Sequence, residues 1–255
     1  MSSVLLQELS GGVLTLTLNR PDKRNALNTE LVAALSEALH MAESDPDVRV
    51  VLVKGAGKDF SAGADLAELE RTLDQGRDAH LDNANRLGAL FLALRRHPVP
   101  VIAAVQGRAL AGGCGLATAC DLVFASEAAQ FGYPEVNLGF VPAMVMAILR
   151  RKVGEAAAFD LAVMGERIPA TRAYELGLVA RLLPEEGFDA STQELAAALA
   201  AKPAEAIRMT KRLLYDQDGR TFAEGVAMGA EVNARARSTE GFKAGVRAFL
   251  AKQSR

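Results

Sequence analysis

The sequence predicts an α/β protein in which parallel strands alternate with helices. Two observations support this prediction. Between residues 48 and 126, apolar runs typical of buried strands alternate with segments of helical periodicity. After about residue 143 the pattern is mainly helical, with one short strand near 178–183. A chain of 255 residues is long enough for one large core, or for a core with a small helical appendage.

The first part of the chain predicts two strands and the helix between them. Residues 12–19, GVLTLTLN, alternate apolar and polar side chains, as a half-buried strand does. A proline-containing turn ends this strand. Apolar residues at helical spacing over 29–45 then predict a helix, with Thr29 as its N-cap. The β-branched run at 48–55 predicts a strand that is buried on both faces.

The middle of the chain contains two glycine-rich turns, each of which follows a predicted strand. The first turn is the loop at 55–66, and a polar-rich helix is expected over about 78–96. A buried strand at 98–107 leads to a short helix at 111–119, and a strand at 121–126 follows. Three glycines stand at the start of that short helix, where each interior glycine costs about 1 kcal/mol relative to alanine. We therefore expect that bare backbone is needed there.

The last part of the chain predicts helices alone. We divide the sequence into a core at residues 1–190 and a helical region at residues 191–255.

Composition and charge argue against several classes of protein. The 29 basic and 31 acidic residues give a formal net charge of −2 without a basic tract, so neither nucleic acid nor a membrane surface is an expected partner. The chain has no apolar run near the ~18 residues of a membrane helix and no signal-peptide pattern at its start. We expect a cytoplasmic protein. Cys114 and Cys120 are interpreted as small buried thiols in a reducing compartment.

Common catalytic and cofactor motifs are missing from the sequence. The stretch GAGKDF at 55–60 has Phe60 where a dinucleotide fingerprint needs a third glycine, and neither a P-loop nor a Gly-x-Ser-x-Gly elbow is present. His40, His80 and His97 are too far apart in sequence for a metal-ligand pair. We expect no metal and no cofactor.

Two turns, SAGADL at 61–66 and LAGGCG at 110–115, indicate a site for a negatively charged oxygen. Each turn follows a buried strand and opens a helix, where unpaired N–H groups carry a partial positive charge. Glycine lets the backbone approach a ligand closely. Two such turns side by side could direct two N–H donors at one oxygen, as an oxyanion hole does. The alternative is a pair of tight turns that only pack helices on a sheet.

The chain resembles the enoyl-CoA hydratase/isomerase family, or crotonase family, over about residues 10–190. The resemblance rests on the order and spacing of four blocks: NRPDKRNALN, DFSAGADL, AVQGRALAGGCGLATACDLVFASEAAQFGYPEVNLGFVPA and GERIPATRAYELGLVARL. It implies a crotonase-like spiral of ββα units followed by a helical region that builds homotrimers or dimers of trimers. It also implies an acyl-CoA thioester substrate, so that coenzyme A is part of the substrate and not a cofactor.

The same resemblance implies roles for individual residues. The oxyanion hole would consist of the backbone N–H groups of Ala64 and Gly112. Lys243 would contact a CoA phosphate from a neighbouring subunit. The helix at 78–96 would contribute to the walls of the acyl pocket. The CoA channel would be lined by Arg24, Ala26, Ala62, Asp65 and Leu66.

A glutamate is the expected proton carrier. Hydratases of the family place two glutamates around one water, and this chain keeps the second as Glu135 but has Gly115 at the position of the first. A carboxylate between Pro134 and an apolar run is expected to have a raised pKa, which suits proton transfer near neutral pH. Asp121 is interpreted as a cap or pairing residue at the entrance of a strand.

One carboxylate permits either of two reactions. It can activate a water that adds to C3 of a 2-enoyl-CoA, or it can move a proton between C2 and C4. We favour the 2-enoyl-CoA hydratase, because VPA at 141–143 together with Gly115 resembles bacterial members that look like hydratases of short or branched enoyl-CoAs. A Δ3,Δ2-enoyl-CoA isomerase and a non-catalytic acyl-CoA-binding protein are the alternatives.

Overall fold

A six-stranded sheet forms the centre of the computed structural model, which describes residues 3–253. Its strand order is β1-β2-β3-β4-β6-β9; β1 and β2 pair antiparallel, and the other neighbours pair parallel. A second sheet has the order β5-β7-β8. The strands are β1 Leu5–Ser10, β2 Val13–Leu18, β3 Val50–Gly55, β4 Val101–Val105, β5 Arg108–Leu110, β6 Leu122–Ser126, β7 Gln130–Gly132, β8 Arg167–Pro169 and β9 Arg181–Leu183.

Helices cover the sheet and form most of the second half of the chain. The helices are α1 Thr29–Ser44, α2 Leu66–Thr72, α3 Arg77–Arg96, α4 Gly112–Ala119, α5 Met146–Val153, α6 Glu155–Met164, α7 Ala170–Glu175, α8 Phe188–Ala200, α9 Ala204–Asp216, α10 Phe222–Ser238 and α11 Glu240–Gln253. None of the helices within residues 3–253 has both the length and the apolar character that crossing a membrane requires.

The main sheet separates two apolar layers. Val51 and Val53 of β3 pack with α1, α3 and α4 on one face, while Val50 and Leu52 pack with α8 on the other. Successive side chains of a strand point to opposite faces, so the prediction of a strand buried on both faces is confirmed. The proposed division at residue 190 falls within α8, which lies against the sheet; the two-region division stays a prediction.

One local prediction differs from the structure, and one strand was not predicted. The N-cap of α1 is Asn28 and not Thr29, because the Asn28 side chain accepts a hydrogen bond from the N–H of Leu31 at 3.0 Å. This corrects the predicted cap by one residue. The N-terminal strand β1 was not predicted, since most of its side chains are exposed and carry no clear alternation.

The small second sheet brings two distant segments together. Strand β5 leads directly into α4, and β7, which pairs parallel to β5, leads into a 3-10 helix at Pro134–Leu138. The N–H of Ala111 donates to Gly132 O at 2.9 Å, which ties the two segments at that point. These three-residue strands are too short to give a periodic pattern, and the sequence did not predict them.

A buried polar cluster joins α9 to the entrance of the sheet. Lys211 Nζ lies 2.7 Å from Asp121 Oδ2 and donates to the carbonyl oxygens of Leu94 and Val99. The hydroxyl of Tyr215 donates to Asp121 Oδ1 at 2.6 Å. The carboxylate also accepts the first N–H of β4. The interpretation of Asp121 as a pairing residue at a strand entrance is confirmed.

The two cysteines and His97 are buried inside the protein. Cys114 and Cys120 are fully buried free thiols, as predicted, and burial raises their pKa values to about 11 and about 12. His97 is buried, with its ring nitrogens facing the carbonyl oxygens of Leu39 and Val99. Burial lowers the pKa of His97.

Candidate active site

The first glycine-rich turn is fixed to β5 by the backbone of Ser61. Its carbonyl accepts a hydrogen bond from the N–H of Leu110, and its N–H donates to Arg108 O, both at 3.0 Å. The buried Ser61 hydroxyl donates to Asn25 O at 2.8 Å. The guanidinium of Arg108 forms two hydrogen bonds of 2.8 Å with Asp59. These contacts place the two glycine turns side by side.

The glycines of α4 have different reasons for lacking a side chain. A Cβ at Gly113 would lie 2.5 Å from Ser61 O, so glycine is required for the close approach of the first turn. A Cβ at Gly115 would lie 3.0 Å from Phe91 Cζ. A Cβ at Gly112 would meet its neighbours at 3.7 Å or more, which is ordinary contact. Close packing therefore explains the second and third glycines, whereas the surroundings of Gly112 have room for a Cβ.

The backbone amides of Ala64 and Gly112 lie close together at one cavity of about 760 Å³. A Cβ at Gly63 would lie 3.3 Å from Gly112 N, and a Cβ at Gly112 would lie 3.9 Å from Ala64 N. Within residues 3–253 neither amide has a hydrogen-bond acceptor. Gly112 is also the first residue of α4, where the helix dipole is positive. The arrangement can hold one negatively charged oxygen.

Ala111 holds the start of α4 in a conformation that is unusual for a residue with a side chain. Its φ is 49° and its ψ is −128°. Its carbonyl accepts the N–H of Gly115 at 2.9 Å. Such a conformation costs an L-residue about 1–3 kcal/mol, so backbone strain is stored beside the two amides.

Ala111→Gly should therefore raise the free energy of unfolding by about 1 kcal/mol. Relief of the strain outweighs the greater freedom of glycine in the unfolded chain, which costs about 0.5–1 kcal/mol. Urea unfolding measures the difference. Ala117→Gly, in the interior of the same helix, is the control and should be destabilised by about 1 kcal/mol or more. An Ala111→Gly variant less stable than the parent protein would contradict this interpretation of the backbone.

Glu135 lies on the 3-10 helix after β7 and lines the same cavity as the two amides. Its Oε2 is buried without a hydrogen-bond partner. Burial raises the pKa of this carboxyl above its usual range. A buried acceptor without a partner costs free energy and is uncommon in proteins. The carboxylate is thus poised to bind a proton or a water molecule.

Apolar side chains occupy the place of a second acid. Phe91 and Val145 both approach Gly115, with Val145 Cβ 3.7 Å from the position of a Cβ there. Among the residues described, the other acidic side chains at the cavity are Asp22 and Asp65. Asp22 lies on the exposed turn at 21–23, and Asp65 caps α2.

Asp65 is engaged in structural contacts. Its carboxylate forms a 2.8 Å ion pair with Arg20 and accepts N–H groups at the start of α2. The hydrogen bond from Arg20 lowers the pKa of Asp65. The pKa shifts of Asp65 and Glu135 therefore run in opposite directions, and that of Glu135 is upward.

The structure brings most of the predicted site residues to one cavity. Glu135, Ala64 and Gly112 line it together, and so do the five residues predicted for the CoA channel: Arg24, Ala26, Ala62, Asp65 and Leu66. Lys243 does not line it; this residue lies on α11 and forms a 2.7 Å ion pair with Glu240. The proposed contact of Lys243 with a neighbouring subunit stays a prediction, as do the catalytic and binding roles of the others.

Part of the cavity wall was not predicted. Leu87 and Phe91 of α3 line the cavity, as expected of the helix at 78–96. Much of the rest of the wall comes from residues 134–145, including the exposed side chains of Leu138 and Phe140. In sequence this segment reads as an ordinary apolar run. Within residues 3–253 no group of three or more His, Cys, Asp or Glu side chains is arranged to hold a metal ion.

The cavity defines a class of site: two free backbone donors, a carboxyl with a buried oxygen and the basic residues Lys23 and Arg24 all line one cavity. This arrangement suits a substrate whose carbonyl oxygen gains negative charge while a proton moves nearby. The family model for enoyl-CoA hydratase/isomerase matches residues 8–255. The chain belongs to this family, whose members act on acyl-CoA thioesters.

Individual relatives match along almost the whole chain. A Thermus thermophilus protein, provisionally named an enoyl-CoA hydratase, is 43% identical over 98% of both chains. The crystal structure of an enoyl-CoA hydratase from Mycobacterium smegmatis has a TM-score of 0.94 and 36% identity, covering 98% of this chain and 97% of the other. The mouse mitochondrial protein named enoyl-CoA hydratase domain-containing protein 3 is 31% identical over 95% of this chain and 80% of its own. The predicted crotonase-type α/β fold is confirmed.

Proposed function

We propose that the protein is a 2-enoyl-CoA hydratase in which Glu135 carries the proton. The observation behind the proposal is the buried, unpartnered Oε2 of Glu135 in the cavity that also contains the free amides of Ala64 and Gly112. The enoyl-CoA hydratase names of the relatives support the choice of reaction. Coenzyme A enters as part of the substrate.

The reaction requires one carboxylate to act twice. The thioester oxygen accepts hydrogen bonds from the amides of Ala64 and Gly112. The Glu135 carboxylate takes a proton from water as the water oxygen forms a bond to C3, and the electron pair of the C2=C3 bond moves towards the thioester oxygen. The two amides stabilise the resulting enolate. Glu135 then gives its proton to C2, which restores the carboxylate and leaves a 3-hydroxyacyl-CoA.

The charges of the cavity suit the two ends of such a substrate. Lys23 and Arg24 lie at one side, where they can face the phosphates of coenzyme A. The residues at 138–145 are apolar and provide no cation for a charged acyl group. We propose that the acyl chain is uncharged, and either short or branched.

An isomerase is the second candidate, and the wall at Gly115 favours it. Phe91 and Val145 occupy the space beside Gly115, where a second acid would hold a water molecule. In this reaction Glu135 takes a proton from C2 of a 3-enoyl-CoA and returns it to C4, and the same amides hold the dienolate. No water is consumed.

Two assays distinguish the candidates. We expect crotonyl-CoA to lose the ultraviolet absorbance of its conjugated thioester, with oxygen from labelled water appearing at C3. A 3-enoyl-CoA that instead gains this absorbance, with crotonyl-CoA unchanged, would overturn the hydratase in favour of the isomerase. Saturable binding of both esters without turnover would show a non-catalytic acyl-CoA-binding protein.

We also propose that the chain forms a homotrimer or a pair of trimers and that it is cytoplasmic. Exposed apolar side chains on α10 and α11, including Phe222 and Phe249, support an assembly in which these helices are covered. Light scattering coupled to size-exclusion chromatography measures the mass. A monomer at micromolar concentration would contradict the proposed assembly.

A further inference from the structure

A buried pair of hydroxyl groups lies behind the candidate active site. Tyr133, two residues before Glu135, and Thr118, on the same helix as Gly112, are both fully buried. Their hydroxyl oxygens are 2.6 Å apart. Neither residue is among the cavity-lining residues that the structure describes, so neither side chain is placed to touch the substrate.

The direction of the hydrogen bonds is fixed by the backbone. The Thr118 hydroxyl donates its single proton to Cys114 O at 2.8 Å. The short contact with Tyr133 must therefore use the tyrosine proton, with Thr118 Oγ1 as the acceptor. The result is a series of buried hydrogen bonds that runs from the segment of Glu135 into the middle of α4.

This series of hydrogen bonds acts together with a backbone hydrogen bond at the start of α4. There, the N–H of Ala111 donates to Gly132 O. About two turns further along the helix, the Tyr133 hydroxyl donates to Thr118 Oγ1. Two attachments at separate points fix both the position and the rotation of α4 relative to the segment that carries Glu135. Since Gly112 begins that helix, they also fix the spacing between its amide and the Glu135 carboxyl.

We propose that Tyr133 and Thr118 are positioning residues, which hold the proton carrier and the oxyanion-binding amide at their working separation. The inference rests on the proposed function of Glu135 and Gly112. A catalytic group must be held within a few tenths of an ångström of its working geometry, and a displacement of 1 Å can cost about 100-fold in rate. The hydroxyl pair supplies this precision from outside the cavity.

Two substitutions remove the contact with little change in shape. Tyr133→Phe deletes one oxygen and leaves Thr118 bonded to Cys114 O; Thr118→Val keeps the branched shape and removes the acceptor. We expect each to lower kcat at least tenfold, with KM within about twofold of the parent. The acid limb of the pH profile of kcat should move to lower pH. A Glu135 side chain that is held less firmly is better hydrated, and hydration lowers its pKa. Thr118→Ser keeps the hydroxyl and should restore most of kcat.

A matched control lies on the other side of the main sheet. Thr192 of α8 is also fully buried and donates its hydroxyl proton to Asp189 O at 2.9 Å. Thr192→Val should lower the melting temperature without changing kcat, KM or the pH profile. A second measurement needs no turnover: titration of the Glu135 carboxyl by carbon-13 NMR, assigned with Glu135→Gln, should give a lower pKa in Tyr133→Phe than in the parent or in Thr192→Val.

The outcomes separate this inference from the proposed function. If Glu135→Gln abolishes turnover but Tyr133→Phe and Thr118→Val keep the parent kcat and the parent carboxyl titration, the hydroxyl pair only stabilises the fold and the inference is wrong. If Glu135→Gln keeps full turnover, the proposed function is wrong. An unchanged Glu135 titration in Tyr133→Phe would then overturn the positioning role as well.

Discussion

Glu135→Gln is expected to lower kcat for crotonyl-CoA hydration by about 10²–10⁴-fold, the usual contribution of general acid–base catalysis. Glutamine fills the same space but cannot take a proton from water at neutral pH. The two amides and the apolar wall remain, so KM should change little. Steady-state kinetics with purified protein, followed by the absorbance of the conjugated thioester, measures the effect.

The same substitution should make the protein more stable at neutral pH. Because burial raises the pKa of Glu135, the folded protein binds more protons than the unfolded chain at pH values from near 4.5 up to the folded-state pKa. The stability of the parent protein therefore falls as the pH rises through this window. Glutamine lacks this ionisation, so its advantage in urea unfolding should be largest at pH 7 and smaller at pH 4. In the parent, kcat/KM should rise with pH through the same raised pKa, since the base must be ionised.

Glu127→Gln is the control for both effects. Glu127 is exposed and lies outside the cavity, so its replacement should leave kcat and the free energy of unfolding at pH 7 close to those of the parent. A Glu135→Gln variant that keeps more than a tenth of the parent kcat would remove this carboxyl from the mechanism. A variant that is less stable than the parent at pH 7 would contradict the desolvation of Glu135.

Gly112→Pro should lower kcat by about 10²–10³-fold, as the loss of one oxyanion-hole donor does. Proline has no N–H, and the first position of a helix is where proline is best tolerated. Gly112 occupies that position in α4, and its N–H has no partner within residues 3–253. The fold therefore loses no hydrogen bond. Kinetics together with circular dichroism and thermal melting separate a missing donor from a disturbed helix.

Gly112→Ala is the matched variant, because it keeps the N–H and adds only a methyl group. That methyl would lie 3.7 Å or more from its neighbours and should be accommodated. We expect the alanine variant to be at least tenfold faster than the proline variant. Equal losses in the two, with both folded, would show that the space beside Gly112 matters and its N–H does not.

The sequence predicted the fold best where a pattern of apolar residues extends over a whole strand or helix. The apolar run of β3 and the helical spacing of α1 each reflect burial along one whole element, so their bounds were close to those observed. The strands β7 and β8 have three residues each, and they pair with each other although they are distant in sequence. Such pairing leaves no local pattern.

The candidate site also depends on contacts between segments that are distant in sequence, which a local pattern does not predict. The glycine-rich stretch indicated that bare backbone was needed, but the reason lies with Ser61 and Phe91, which are far from α4 in sequence. The apolar run after Glu135 gave no indication of a cavity wall, although Phe140 is 64% exposed and borders the cavity. The motif singled out Glu135, which lines the cavity, whereas the hydroxyl pair behind it depends on a contact between two elements.

The attachment of α9 constrains how the chain reaches its native state. Asp121 lies at the entrance of the sheet, but the ammonium group and the phenol that satisfy it come from positions 211 and 215. During synthesis the sheet can form before these partners leave the ribosome, and its entrance then contains a carboxylate without its counter-ion. Helix α9 is therefore needed to complete this end of the sheet, and a protein cut before α9 would keep at the start of β6 a carboxylate that lacks both of these partners.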